Sequence, residues 1–292
     1  MSRHPEGAQK RWPALEFVEG DVADAASLRR ALSGCSVAFY LVHGIAEGRD
    51  YRSREIAAAE RFAAAAGAEG VQRVVYLGGV APRGAPSEHL RSRLEVGEKL
   101  RAGRVPAIEL RASMIIGDGS LSWLIVRDLA ARLPFMVLPR WLESRTEPVA
   151  LEDVIAALVG ALSLPEGGSR WYDIPGPRVL SGRQILEETA SVMGHARPRV
   201  VEVPLLSPRL SSHWLRLVTR ADFAVARELV GGLEQDLLAV DDRYWGEIGR
   251  PRRIGFTDAA RRALEAERRG GGVGGPWGTI ERLLTRHAPA AG

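Results

Sequence analysis

His89 and Arg93 stand four residues apart in the stretch SEHLRSRLEVGEKLRAG. If that stretch is helical, the two share one face, a single turn apart. An imidazole can carry a proton near neutral pH, whereas a guanidinium stays charged and can only hold or polarise an oxygen. Together they could act on a substrate oxygen; as members of an ordinary charged helix face they would do no chemistry. The residues alone leave both readings open. Gly78 and Gly79 close an apolar run, where the lack of a Cβ lets a ligand approach the backbone. The other titratable groups do not gather. His4, His195, His213 and His287 lie far apart and Asp241–Asp242 reads as a solvated turn, so no metal site is expected. Cys35 is the single cysteine, which excludes an intramolecular disulfide and suits a small buried or turn residue better than a nucleophile.

The chain of 292 residues is 46% hydrophobic, enough for one large α/β domain with a smaller appended lobe. Forty basic residues against 36 acidic ones leave a net charge of +4, and all the basic residues but Lys10 and Lys99 are arginine. The arginines are spread along the chain without interleaved aromatics, so no nucleic-acid partner is expected. MSRHPEGAQKRWP carries charges without an apolar core, unlike a secretory signal. The longest apolar runs, around VIAALVGALSLP and LPFMVLP, fall short of a membrane span. A cytoplasmic protein is the expectation.

The elements that must position these residues alternate in type. LEFVEGD reads as a strand, and DAASLRRALSG as a helix capped by Asp24 with Gly34 beyond its end. SVAFYLV is an almost continuous apolar run, as in a parallel strand buried on both faces. A long alanine-rich helix follows from Asp50, then a strand in VQRVVYLGG, the helix of His89 and Arg93, and a strand in VPAIELRAS. This order predicts a parallel sheet with helices on its faces. Beyond about Ile116 the rhythm turns mostly helical: WLIVRDLAARLP, a helix within VALEDVIAALVGALSLP, and one in SGRQILEETASVMG capped by Ser181. SRWYDIPGP is a further strand-like piece, and the glycine-rich residues after 268 read as a linker and tail.

In that order the pieces resemble an atypical or extended short-chain dehydrogenase/reductase, the NmrA-like and complex I accessory-subunit-like branches included. The segments that carry the likeness are Gly20-Asp21-Val22 before the helix Ala25 to Leu32, Leu41-Val42-His43-Gly44, Val71 to Gly79, Leu110-Arg111 to Gly117, and Pro148 to Val154. The resemblance covers roughly residues 1 to 200. It implies an α/β, Rossmann-like parallel sheet flanked by helices, with a smaller, mostly helical C-terminal lobe. Residues 1–117 would be an NAD(P)-binding domain, 118–268 a substrate lobe that can interleave with the sheet, and 269–292 the tail.

The family's chains open with a strand, a G-x-x-G-x-x-G turn and a helix whose N–H groups hold the pyrophosphate. No such turn precedes Leu15. The resemblance therefore implies an incomplete Rossmann domain lacking its first β-α unit, an N-terminal truncation of roughly 35 to 45 residues, and weakened dinucleotide binding. Arg3 takes the place of an arginine that meets the 2′-phosphate of NADP, which favours NADP over NAD. Asp21 and Val22 would meet the adenine, Val42, His43 and Gly44 the adenosine ribose, and Gly78 and Gly79 the nicotinamide half. Simpler readings stand beside these: an exposed arginine at residue 3 and a turn residue at Asp21.

His89 and Arg93 fall where the family carries the tyrosine and lysine of its Y-x-x-x-K pair, so both standard residues are exchanged. The implied function is an oxidoreductase acting on a carbonyl or hydroxyl compound that the sequence does not identify. A dinucleotide sensor without turnover is the alternative. So is a structural protein near a membrane, for which the amphipathic stretch from His213 to Leu233 is the support and an ordinary lobe helix the simpler account. Neither the oligomeric state nor the substrate is legible.

Overall fold

Helix ends in this protein are set by local signals that a sequence displays openly. In the computed structural model, which describes residues 1–43, 50–132, 135–138, 143–195, 199–202 and 235–269, the Asp24 carboxylate accepts hydrogen bonds from the amides of Ala26 and Ser27. It thereby opens a helix over Ala25–Leu32, and Gly34 turns the chain beyond it with φ 76°. Ser181 forms a reciprocal capping box with Gln184 at the start of the helix Gly182–Val192. Replacing Ser181 by alanine is expected to cost about 1 kcal/mol, read as a lowered urea midpoint; an unchanged midpoint would show that water replaces the cap.

In chain order the described helices are α1 (Pro5–Arg11), α2 (Ala25–Leu32), α3 (Tyr51–Ala68), α4 (Glu88–Arg101), α5 (Leu121–Arg132), α6 (Leu151–Gly160), α7 (Gly182–Val192), α8 (Arg243–Glu247) and α9 (Phe256–Arg269). The strands are β1 (Val37–Tyr40), β2 (Arg73–Gly79), β3 (Ala107–Ala112), β4 (Ile115–Ile116), β5 (Phe135–Leu138), β6 (Arg145–Thr146), β7 (Val149–Ala150), β8 (Arg170–Asp173), β9 (Leu180–Ser181) and β10 (Arg199–Glu202). Two compact units emerge. One comprises Met1–Gly79, Glu88–Arg111 and Leu158–Tyr172; the other comprises Val80–Ser87, Ala112–Ala157 and Asp173–Gly292.

The first unit is built on a sheet of order β1-β2-β3-β8. β1 and β2 run parallel, with Val37 opposite Arg73 and Tyr40 opposite Tyr76. The amide of Val74 donates to the carbonyl of Pro106, setting β3 beside β2. Leu28 and Leu32 of α2, Ala59 and Phe62 of α3, and Val96 and Leu100 of α4 bury against Ala38, Tyr40, Val74, Tyr76 and Ala107. Every residue of β3 is buried, the pattern of a strand covered on both faces. The Arg73 guanidinium donates to the carbonyls of Ala161, Leu162, Leu164 and Pro165, which ties the segment leading into β8 to the start of β2. The result is a Rossmann-like parallel sheet flanked by helices, as the alternation of elements predicts.

Two details depart from expectation. Leu15–Asp21, expected as a strand, is reduced to a single parallel bridge between Ser2 and Glu19, with the Ser2 amide on the Val18 carbonyl and the Gly20 amide on the Ser2 carbonyl. An extended segment becomes a strand only where a neighbour satisfies its backbone, and here Ser2 bridges to it at one residue. Pro5–Arg11, not expected as helix, forms α1 with proline in its first turn, where a missing N–H costs nothing.

The second unit packs α5, α7 and α9 around Trp123, Val126, Leu129, Ile185, Leu186, Phe256 and Leu264. Short ladders join β4 to β7, β6 to β9 and β5 to β10. The amphipathic stretch 213–233 and residues 270–292 lie outside the described residues. Among the described residues no helix is long and apolar enough to cross a membrane.

Candidate functional site

The carboxyl ends of β1 and β2 point to the same edge of the sheet, because the strands are parallel and in register at Tyr40 and Tyr76. In open α/β sheets that edge is where ligands bind. Three of the residues singled out from the sequence meet there. His43 follows β1, while His89 and Arg93 occupy the first two turns of α4, and the Arg93 charge reaches both imidazoles. Arg93 is anchored from both ends. Its guanidinium Nη1 donates to the Leu77 carbonyl at 3.1 Å, and its own carbonyl accepts from the Tyr76 hydroxyl at 3.0 Å. Tyr76 is buried, and burial pushes its phenol above the usual value while Arg93 opposes the shift. Its proton is engaged on main chain.

Both imidazoles are held neutral. Desolvation, and then the Arg93 guanidinium, lower His89 from 6.5 to about 3. His43 is likewise lowered to about 3, by desolvation, then Arg93, then His89. His43 is exposed at its surface and His89 is half-buried, so water blunts the desolvation more at His43. A neutral imidazole offers one N–H donor and one lone pair; it is a poor source of protons.

The sign of the stability effect follows. Between about pH 3 and 6.5 the unfolded chain takes up protons on these histidines that the folded chain refuses. Their contribution is therefore intact above pH 6.5 and lost as the pH falls through that window. His89→Gln should lose less stability than the parent between pH 6.5 and 4.5 in thermal denaturation; equal losses would show that His89 is protonated freely in the fold.

The remaining expected site residues are dispersed or locally employed. Arg3 is exposed next to the Ser2–Glu19 bridge. Asp21 accepts from the Ala23 amide at 2.8 Å and its backbone is tied to the Ser27 hydroxyl, so it serves its own turn. Val22 packs against the core of the first unit. Val42 is exposed beyond β1, and Gly44 lies outside the described residues. Gly78 and Gly79 have a packing reason for lacking side chains. A Cβ on Gly78 would lie 2.9 Å from Glu109 Oε1, and one on Gly79 would lie 3.2 Å from Leu90. Among the described residues no group of three or more His, Cys, Asp or Glu could hold a metal.

Sequence reasoning missed Glu109. This carboxylate, on β3, is fully buried and pairs with Arg101 of α4 at 2.8 Å and with Arg111 at 2.9 Å. Gly97 leaves room for it: a Cβ there would lie 2.5 Å from the carboxylate. The charge inside an otherwise apolar strand, VPAIELRAS, was the available signal.

The donor set at the sheet edge, a guanidinium with N–H groups to spare and two imidazoles, suits a ligand rich in hydroxyl or phosphate oxygens, as a dinucleotide is. Comparison with known proteins agrees. Residues 1–130 match the family model described as NAD(P)H-binding. The chain resembles several solved structures in fold. A nucleoside-diphosphate-sugar epimerase from Staphylococcus aureus superposes with TM-score 0.69 at 12% identity, covering 89% of this chain and 88% of that one. The Citrobacter sp. triphenylmethane reductase complexed with NADP(H) superposes with TM-score 0.68 at 16% identity, covering 90% and 88%. In sequence, the chain is 28% identical over 204 residues to the (4-alkanoyl-5-oxo-2,5-dihydrofuran-3-yl)methyl phosphate reductase of Streptomyces griseus subsp. griseus, covering 66% of this chain. The match spans 64% of that relative's length.

Proposed function

We propose that this protein is an NAD(P)H-dependent reductase of the atypical, NmrA-like class of short-chain dehydrogenases/reductases, acting on a carbonyl compound. The observation that carries the reading is the meeting of Arg93, His89 and His43 at the carboxyl ends of two adjacent parallel strands in an NAD(P)H-binding domain. Reduction as the direction of reaction is supported by the reductase activity named for the Streptomyces griseus relative. When bound, NAD(P)H supplies a hydride. Arg93 holds a substrate or ribose oxygen through the N–H groups not given to Leu77, and His89 adds one neutral donor beside it. Proton delivery falls to water, since neither residue has a proton to release at neutral pH. Arg3, exposed at the amino end, favours the 2′-phosphate of NADP.

Titration of the full chain with NADPH and with NADH, followed by quenching of tryptophan fluorescence, tests this directly. Saturable binding is expected, tighter for NADPH, with the preference reduced in Arg3→Ala. No affinity for either nucleotide would overturn the proposal. The same neutral imidazoles favour a second reading, a dinucleotide sensor without turnover. NADPH consumption with a panel of aldehydes, ketones and conjugated lactones separates the two: binding without consumption supports the sensor.

A further inference from the structure

Arg93 is a half-buried cation without a carboxylate partner among the described residues, and, unlike Arg73, whose guanidinium is given to four carbonyls, it keeps N–H groups to spare. The acids around it are all otherwise engaged. Glu109 pairs with Arg101 and Arg111, Glu95 takes both nitrogens of Arg52, Glu60 holds Lys99, and Glu55 accepts from the Ser92 hydroxyl. The Arg93 guanidinium donates to a neutral carbonyl, Leu77, and also meets the neutral Tyr76 hydroxyl. A charge held away from bulk water costs free energy until a counter-charge meets it. The two imidazoles beside it supply none: both are neutral, His43 bonded to the Val42 backbone and His89 with its one N–H to donate.

We infer that Arg93, His89 and His43 form an oxyanion-binding site that takes a phosphate or carboxylate group carried by the substrate. The substrate is then an anionic carbonyl compound, a class that rests on the reductase reading for the word substrate but not for the binding. The chemistry is complementary in number and kind. A carboxylate or a fully ionised phosphate only accepts, and the cluster offers donors to it: the guanidinium N–H groups not given to Leu77 and the one N–H of the His89 ring, with His43, whose ring bonds the Val42 backbone, lining the site. Its two elements are independently braced, β1 by pairing with β2 and α4 by the Tyr76 hydroxyl on Arg93 and by the Glu109–Arg101 pair. The anion would thus meet a prearranged set of donors, which lowers the ordering cost of binding. A dinucleotide also carries phosphate, so the same chemistry could be met by the cofactor, and the experiment separates the two sources.

The test uses the full chain with inorganic phosphate as the probe at constant ionic strength, read by the imidazole proton resonances of His89 and His43. Saturable shifts at both rings are expected, with affinity lowered about tenfold or more in Arg93→Met, as for loss of a charge-assisted hydrogen bond. Arg93→Lys should recover part of it, His89→Gln should weaken binding without removing it, and Arg104→Met, an exposed arginine elsewhere, should change nothing. If Arg93→Met fails to fold, His89→Gln and Arg93→Lys carry the comparison. Phosphate affinity untouched by these changes, or no shift at either ring, overturns the inference. Stoichiometric displacement of phosphate by NADP would give the site to the cofactor and overturn the substrate assignment. Phosphate binding that persists beside bound NADP supports it. Phosphate binding in a protein without affinity for NADPH or NADH would sink the reductase reading and leave the anion site standing.

Discussion

Glu109→Ala is expected to destabilise the protein by about 3–5 kcal/mol, enough to unfold much of it if its total stability is ordinary. The carboxylate is fully buried between Arg101 at 2.8 Å and Arg111 at 2.9 Å, and Arg111 is itself buried with its guanidinium 4.3 Å from the centre of the Trp171 ring. Removing the anion leaves the buried Arg111 guanidinium facing the Trp171 ring, and Arg101 loses its ion pair with Glu109. Glu109→Gln, which keeps volume and one acceptor, should cost less. Urea unfolding monitored by circular dichroism gives both values; a loss below about 1 kcal/mol for the alanine variant would show that water replaces the carboxylate. The effect extends to the site, because Glu109 fixes α4 from beneath through Arg101 and through the space left by Gly97. Under conditions where Glu109→Gln remains folded, its affinity for phosphate and NADPH should still fall, as α4 carries His89 and Arg93.

Glu109 also marks the boundary of what the sequence discloses. Capping is local, so Asp24 and Ser181 could be read directly from their neighbours, and the structure places their side chains on the expected amides. Runs such as SVAFYLV and VQRVVYLGG announce strands through their apolar continuity, and β1 and β2 lie within them. The site is different in kind. His43 and His89 are separated by the whole of α3 and β2, and only the parallel register of β1 and β2 brings the loop after one beside the helix after the other. Nothing in the spacing of the residues encodes that meeting; the resemblance to a dehydrogenase supplied the positions but assigned His43 to the adenosine ribose, His89 to proton transfer and Arg93 to holding a ribose hydroxyl. Their shared neutrality, set by Arg93 and by enclosure, is a property of the fold.

Gly78 and Gly79 show the same limit from the other side. A glycine pair at the end of a Rossmann strand suggests close approach of a ligand, and the resemblance says as much. In the structure each glycine hydrogen faces protein: Glu109 and Tyr76 in one case, Leu90 in the other. A sequence cannot tell a glycine that admits a ligand from one that admits a neighbouring side chain, because the steric demand is identical. Placing Ala at Gly97, where a Cβ would lie 2.5 Å from the Glu109 carboxylate, would meet the same obstacle from the helix side.

Asp153→Ala should be the most damaging single change in the second unit, at about 3–5 kcal/mol. Asp153 lies in the first turn of α6 and is fully buried. Its Oδ1 accepts from Arg250 Nε at 3.0 Å and Nη2 at 2.7 Å, and its Oδ2 accepts from the Ile254 amide at 2.7 Å. One carboxylate therefore fastens the start of α6 to the connection between α8 and α9, using a bidentate guanidinium and a main-chain donor at once. Alanine would strand the Ile254 amide as well as the arginine. Because Asp153 is fully buried while the Arg250 side chain keeps 39% of its surface in solvent, Arg250→Ala leaves a buried carboxylate with only the Ile254 amide and should cost a comparable amount. A double-mutant cycle in urea isolates the pair: a coupling energy near zero would show that the two charges do not hold each other and that the anchoring role is wrong. The segment Pro148 to Val154, which carries part of the family likeness, then has a physical reason for its acid: it is a joint in the fold, and chemistry need not be sought there.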